Sequence, residues 1–74
     1  MYLVSNLEFR GFTSTRGKED KIYNYVNLED EHGESCKFFC DIAPVNYLEK
    51  GEKYDVTFDY SSKYGSLKVV GIEG

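Results

Sequence analysis

The cleanest alternation of apolar and polar positions in the chain is Tyr54-Asp55-Val56-Thr57-Phe58-Asp59-Tyr60. Successive side chains of a strand leave opposite faces, so Tyr54, Val56, Phe58 and Tyr60 form an apolar face and Asp55, Thr57 and Asp59 a polar one. The same period runs through Lys21 to Leu28, setting Val26 and Leu28 on the core side and Tyr23, Tyr25 and Asn27 on the outer side. From Ser35 to Ile42 it sets Cys36, Phe38, Cys40 and Ile42 against Lys37, Phe39 and Asp41. Tyr2 to Phe12 is extended in character, and Gly11 suits a bulge that would curl a long first strand. Leu67 to Ile72 reads as the last strand.

Between these runs, Thr13 to Asp20 reads as a polar loop and Glu29 to Glu34 as a turn. Pro44 to Glu49 predicts one short helical turn, because proline suits the first turn of a helix and Gly51 follows to stop it. Ser61 to Ser66 reads as a hairpin loop around Tyr64-Gly65. The order is three strands, a short helical connection, then two strands. That order predicts an all-β fold, a small five-stranded Greek-key OB-fold barrel, as one domain over residues 1–74. Closing the sheet would also remove exposed strand edges. A small SH3-like barrel is the competing architecture.

Composition supports a β domain with an aromatic core. The 74 residues include seven tyrosines, five phenylalanines and no tryptophan, with seven glycines and a single proline. Two cysteines are too few for a disulfide scaffold and fit a reducing compartment. No apolar run is long enough to span a membrane, and Met1-Tyr2-Leu3-Val4 does not resemble a signal peptide, so a cytoplasmic location is expected. The net charge of −4 is unevenly spread. Glu29, Asp30, Glu31 and Glu34 equal the whole deficit, whereas Arg10, Arg16, Lys18 and Lys21 outnumber the acids among them.

The residues with metal or catalytic chemistry carry little weight. His32, Cys36 and Cys40 recur at four-residue intervals, which would align three zinc ligands on a helix. In a strand, Cys36 and Cys40 stand roughly 13 Å apart at about 3.3 Å per residue, too far to share a metal or a disulfide. Both are expected as small buried hydrophobes beside Phe38. One histidine in an acidic turn has no nucleophile to serve, and no phosphate-binding glycine loop is present. The expectation is a non-enzyme, with no catalytic residue, metal or cofactor.

The outer face offers more. An OB-fold binds across its second and third strands, flanked by the loops joining strands one to two and four to five. That surface would hold Tyr23, Tyr25, Lys37 and Phe39, with Arg10, Arg16 and Lys18 from one side and Lys63 and Tyr64 from the other. Aromatic rings among cations suit single-stranded nucleic acid, the rings stacking on bases and the cations following phosphates. Tyrosine is also an ordinary strand residue, and each ring alone has a packing explanation. A module that docks a protein partner through the same aromatics, steered by the acidic turn, is the alternative.

Phe12-Thr13, Tyr25-Val26-Asn27-Leu28, Gly51-Glu52-Lys53-Tyr54-Asp55-Val56 and Lys63-Tyr64-Gly65-Ser66-Leu67-Lys68-Val69 occur in that order. In sequence and spacing they resemble the single-stranded DNA-binding proteins of filamentous phages. The resemblance implies an OB-fold dimer that coats single-stranded DNA with little sequence preference, in phage or mobile-element replication. It implies that Tyr25 and Tyr64 touch DNA, and that the loop holding Arg16 and Lys18 supplies cations. This chain is more acidic than that family and has a shorter connection between its first two strands. RNA as a ligand and the homodimer stay open at this point.

Overall fold

Val26, Val56 and Val69 are sealed from solvent, and five strands close around them. A computed structural model describes residues 1–41 and 47–73. The strands are β1 (Tyr2–Arg16), β2 (Ile22–Glu29), β3 (Ser35–Cys40), β4 (Lys53–Ser61) and β5 (Ser66–Glu73). They form a closed barrel in the order β1-β2-β3-β5-β4, with β1 and β4 joined across the closure. All neighbours run antiparallel except β3 and β5, which are parallel and, among the described residues, paired at Phe39–Lys68 and Cys40–Val69. The expected all-β barrel of five strands is therefore present.

One strand serves two neighbours because β1 breaks its register twice. Its first half pairs with β4 and its second with β2, the shifts falling between Val4 and Leu7 and between Phe9 and Gly11. Asn6 takes a left-handed φ of 62° at the first, a conformation asparagine tolerates better than most side chains. Gly11 takes φ of 124° at the second, a backbone shape that disfavours any Cβ. The bulge at Gly11 follows the sequence expectation; the one at Asn6 had no glycine to announce it.

The core combines Phe9, Val26, Leu28, Cys40, Leu48, Val56, Phe58, Val69 and Ile72. Edge-to-face pairs bind its rings together, Phe38 against Phe58 at 4.9 Å and Phe9 against Phe12 at 5.1 Å between centroids. Leu48 enters from outside the strands. Its segment is tied down where Gly51 N–H donates to the Phe9 carbonyl and Phe9 N–H to the Glu52 carbonyl, both at 2.9 Å.

Several expectations need correction. The stretch from Thr13 is not a polar loop: β1 continues to Arg16, pairing Thr13 with Tyr25 and Thr15 with Tyr23. The ribbon extends past the barrel wall, so it has no buried face and leaves no hydrophobic alternation to read. Cys36 is exposed, because β3 meets β5 only at its far end; Cys40 is buried as expected. Tyr60 shares the face of Val56 and Phe58 but lies beyond the core and is exposed. The helical turn expected at 44–49 starts on residues outside those described, as does Ile42.

Candidate nucleic-acid interface

Register alone collects an aromatic surface. Tyr25 stands opposite Phe39, and Asn27 opposite Lys37, while the alternating pairs Val26–Phe38 and Leu28–Cys36 turn to the barrel interior. Tyr23 and Tyr25 thus lie on the outer face, as the alternation predicted, though both are half-buried. What covers them is another ring. Phe39 is the hub, with Tyr23, Tyr25 and Tyr64 at centroid distances of 6.1, 5.9 and 5.7 Å.

Two of these rings carry a lysine. Lys37 Nζ lies 4.8 Å from the Tyr25 centroid, and Lys63 Nζ 5.3 Å from that of Tyr64. Both contacts are in cation–π range, and both ammonium groups stay available to an anion. Tyr64 belongs to the β4–β5 turn, which closes with a 2.8 Å bond from Gly65 N–H to the Ser61 carbonyl. The turn thereby brings Tyr64 to β3, far from it in sequence. Between them opens a cleft of about 470 Å³ lined by Tyr25, Lys37, Phe38, Phe39, Tyr64 and Leu67, among others.

Tyr23 is seated by a glycine. A Cβ on Gly17 would overlap the Tyr23 ring at Cε2 and lie 3.0 Å from Cδ2. The backbone of Gly17 is extended, with φ of −96° and ψ of −161°, so it is the close approach that requires glycine there. Asn27 serves the sheet, its Nδ2 donating to the Thr13 hydroxyl at 2.9 Å and to the Gly11 carbonyl at 3.3 Å.

The cations named from sequence divide. Lys37 and Lys63 join the aromatic cluster. Arg16 pairs with Ile22 and so shares the opposite ribbon face from Tyr23 and Tyr25. Lys18 sits at the ribbon tip, in a 3-10 turn over Lys18–Asp20 where Glu19 and Asp20 have φ of 62° and 59°. Arg10 lies at the bulge, its guanidinium 2.8 Å from the Glu8 carboxylate. Sequence reasoning missed Lys68, which faces Phe39 across the parallel β3–β5 pair and bonds Asp41 Oδ2 at 3.0 Å. A parallel pair between distant strands leaves no local signal.

Among the described residues no group of three or more His, Cys, Asp or Glu side chains could hold a metal ion. No described helix is long and apolar enough to cross a membrane. Compared with known protein families, curated proteins and solved structures, this chain matches none.

Proposed function

We propose that this protein binds single-stranded nucleic acid, DNA in the first instance, by stacking bases on the cluster centred on Phe39. The observation that carries the reading is the convergence of Tyr23, Tyr25 and Tyr64 on Phe39, with Lys37 and Lys63 over two of the rings. Stacking tolerates any base, since every base has a π face, and contributes about 1–3 kcal/mol per base. The lysines supply the phosphate contacts, with Lys18 at the ribbon tip able to meet a strand that runs past the cluster.

The barrel order supports an OB-fold. The first strand pairs with both the second and the fourth, and the third meets the fifth in parallel. In that fold the ligand crosses the second and third strands, where the Phe39 cluster lies. The reading includes a non-enzymatic, cytoplasmic role in phage or mobile-element replication, with a homodimer as the assembly the sequence resemblance implies.

Titration of labelled oligo(dT), followed by fluorescence anisotropy at several salt concentrations, tests the proposal. With Lys37, Lys63 and one ribbon cation on phosphates, log K should fall against log salt with a slope of about −2. Tyr25→Ala combined with Tyr64→Ala should weaken binding while the protein stays folded. Absence of binding at low salt, or undiminished binding by the double variant, would turn the aromatic face to a protein partner instead.

A further inference from the structure

The opposite side of the β3–β5 seam has different chemistry. Tyr2 and Val4 pair with Phe58 and Val56, so their side chains take the interior side of β1. Yet Tyr2 is 60% and Val4 41% exposed, as is 39% of Leu67 on β5. The closed barrel has a gap in its wall here: among the described residues β3 pairs with β5 at Phe39 and Cys40, leaving Ser35–Phe38 short of a second neighbour. The opening is a cavity of about 290 Å³ whose walls include Tyr2, Val4, Leu7, Phe38, Phe58 and Leu67. That volume falls at the lower edge of the usual range for small-molecule sites and suits a few apolar side chains.

Its rim is acidic. Asp30 and Glu34 line the opening, and among the described residues no lysine or arginine does so. A second depression of about 210 Å³ continues past Val4 and Leu7 to Asp30, Glu31 and His32. The acidic turn is held in shape by Asp30, whose Oδ1 accepts the backbone N–H groups of His32 and Glu34, each at 2.9 Å. The rim therefore presents fixed negative charge beside exposed hydrocarbon. Phosphates are repelled by such a surface. A second copy docking by two-fold symmetry would bring the rim against its own like charges.

We propose that this open barrel end docks a short cationic, amphipathic segment of a partner protein. Apolar anchors of the segment enter the cavity, and its lysines or arginines meet Asp30, Glu31 and Glu34. The site is separate from the aromatic face and does not depend on nucleic-acid binding. The two do share a wall, since Phe38 and Leu67 line both cavities.

The test is an amide NMR titration of the full chain at low salt with three synthetic peptides of equal length. One has leucine and lysine in an amphipathic pattern, one replaces lysine by glutamate, and one replaces leucine by serine. The leucine–lysine peptide should shift the amides of residues 2–7, 30–34 and 67 and bind about tenfold more tightly than either control. Val4→Thr keeps a β-branched strand residue but removes apolar contact, and Glu34→Lys reverses one rim charge. Each should weaken that peptide severalfold, with a native spectrum as proof of folding. Equal binding of the serine–lysine peptide would overturn the proposal, as would an absence of shifts or shifts confined to the Tyr23–Phe39–Tyr64 face. Self-association abolished by Val4→Thr would name a second copy as the occupant and overturn it too.

Discussion

Replacing Phe39 by leucine separates the role of its ring from that of its bulk. Leucine keeps an apolar side chain over the sheet, so a gross cavity is avoided. What goes are three ring contacts, at 5.7–6.1 Å, to Tyr23, Tyr25 and Tyr64. Aromatic pairs contribute about 0.5–1.5 kcal/mol each beyond burial, and these lie on a half-exposed face, so the low end applies. A destabilisation of about 1–2 kcal/mol follows. A domain of this length has about 4–11 kcal/mol in total, so the variant remains folded. Its Tm should fall by roughly 4–16 °C in calorimetry. Oligo(dT) affinity, by contrast, should drop by the stacking energy of one base at least, about 1–3 kcal/mol, or roughly five- to 150-fold. Stacking is not screened by ions, so the factor should be similar at low and moderate salt and the salt slope unchanged. An unchanged Kd in a variant with the expected Tm would refute the reasoning, because the hub would then be packing and nothing more.

Other perturbations isolate single features. Gly17→Ala has a suitable backbone but displaces the Tyr23 ring; oligo(dT) affinity should fall roughly three- to fivefold, with little change in Tm and shifted Tyr23 ring resonances in NMR. Asp41→Asn removes the carboxylate that occupies Lys68 beside Phe39, so low-salt affinity should rise roughly two- to fivefold and the gain should vanish at high salt. Leu28→Ala empties a core position that is 2% exposed and should cost about 2–5 kcal/mol, read as an earlier midpoint in urea denaturation; an effect below 1 kcal/mol would mean that this end of the core collapses onto the gap.

The strands were legible where one face is buried. Val26, Leu28, Val56 and Phe58 alternate with polar or half-exposed residues because the barrel interior demands it, and period two follows. Legibility ended where no core imposes a pattern. Thr13–Arg16 pairs with β2 outside the barrel wall, so its polar residues looked like a loop. Leu48 joins the core from an irregular segment that no periodicity marks. In the candidate site, Tyr23, Tyr25, Lys37 and Phe39 follow from the alternation of two adjacent strands, and Tyr64 from the position of a hairpin. Lys68 and Gly17 required three dimensions, since one is set by a parallel pair and the other by the path of a ring. Tyr60 lies on the apolar face that the alternation gave it, yet it is exposed. Alternation gives the face of a residue but not how far along the barrel axis the core extends.

The short β3–β5 seam connects both proposed surfaces. Among the described residues two pairs close the barrel there, whereas β2 meets β3 over five. A longer seam would continue the ladder toward Ser35 and bring β5 over Phe38, filling the apolar opening. It would also draw the β4–β5 turn along β3 and carry Tyr64 away from Phe39. With the pairing beginning only at Phe39, a cleft opens on each side of the same wall, with cations and rings outside and hydrocarbon and carboxylates at the barrel end. Asp30, Glu31 and Glu34 bear on the second surface, whereas Asp41, bonded to Lys68, lies beside the first. Net charge is a poor guide to the first, because at physiological salt the field of the acidic turn is screened within about 8 Å. An acidic protein can therefore offer phosphates a locally cationic face where lysines such as Lys37 and Lys63 stand over the rings and its acidic turn lies at the barrel end.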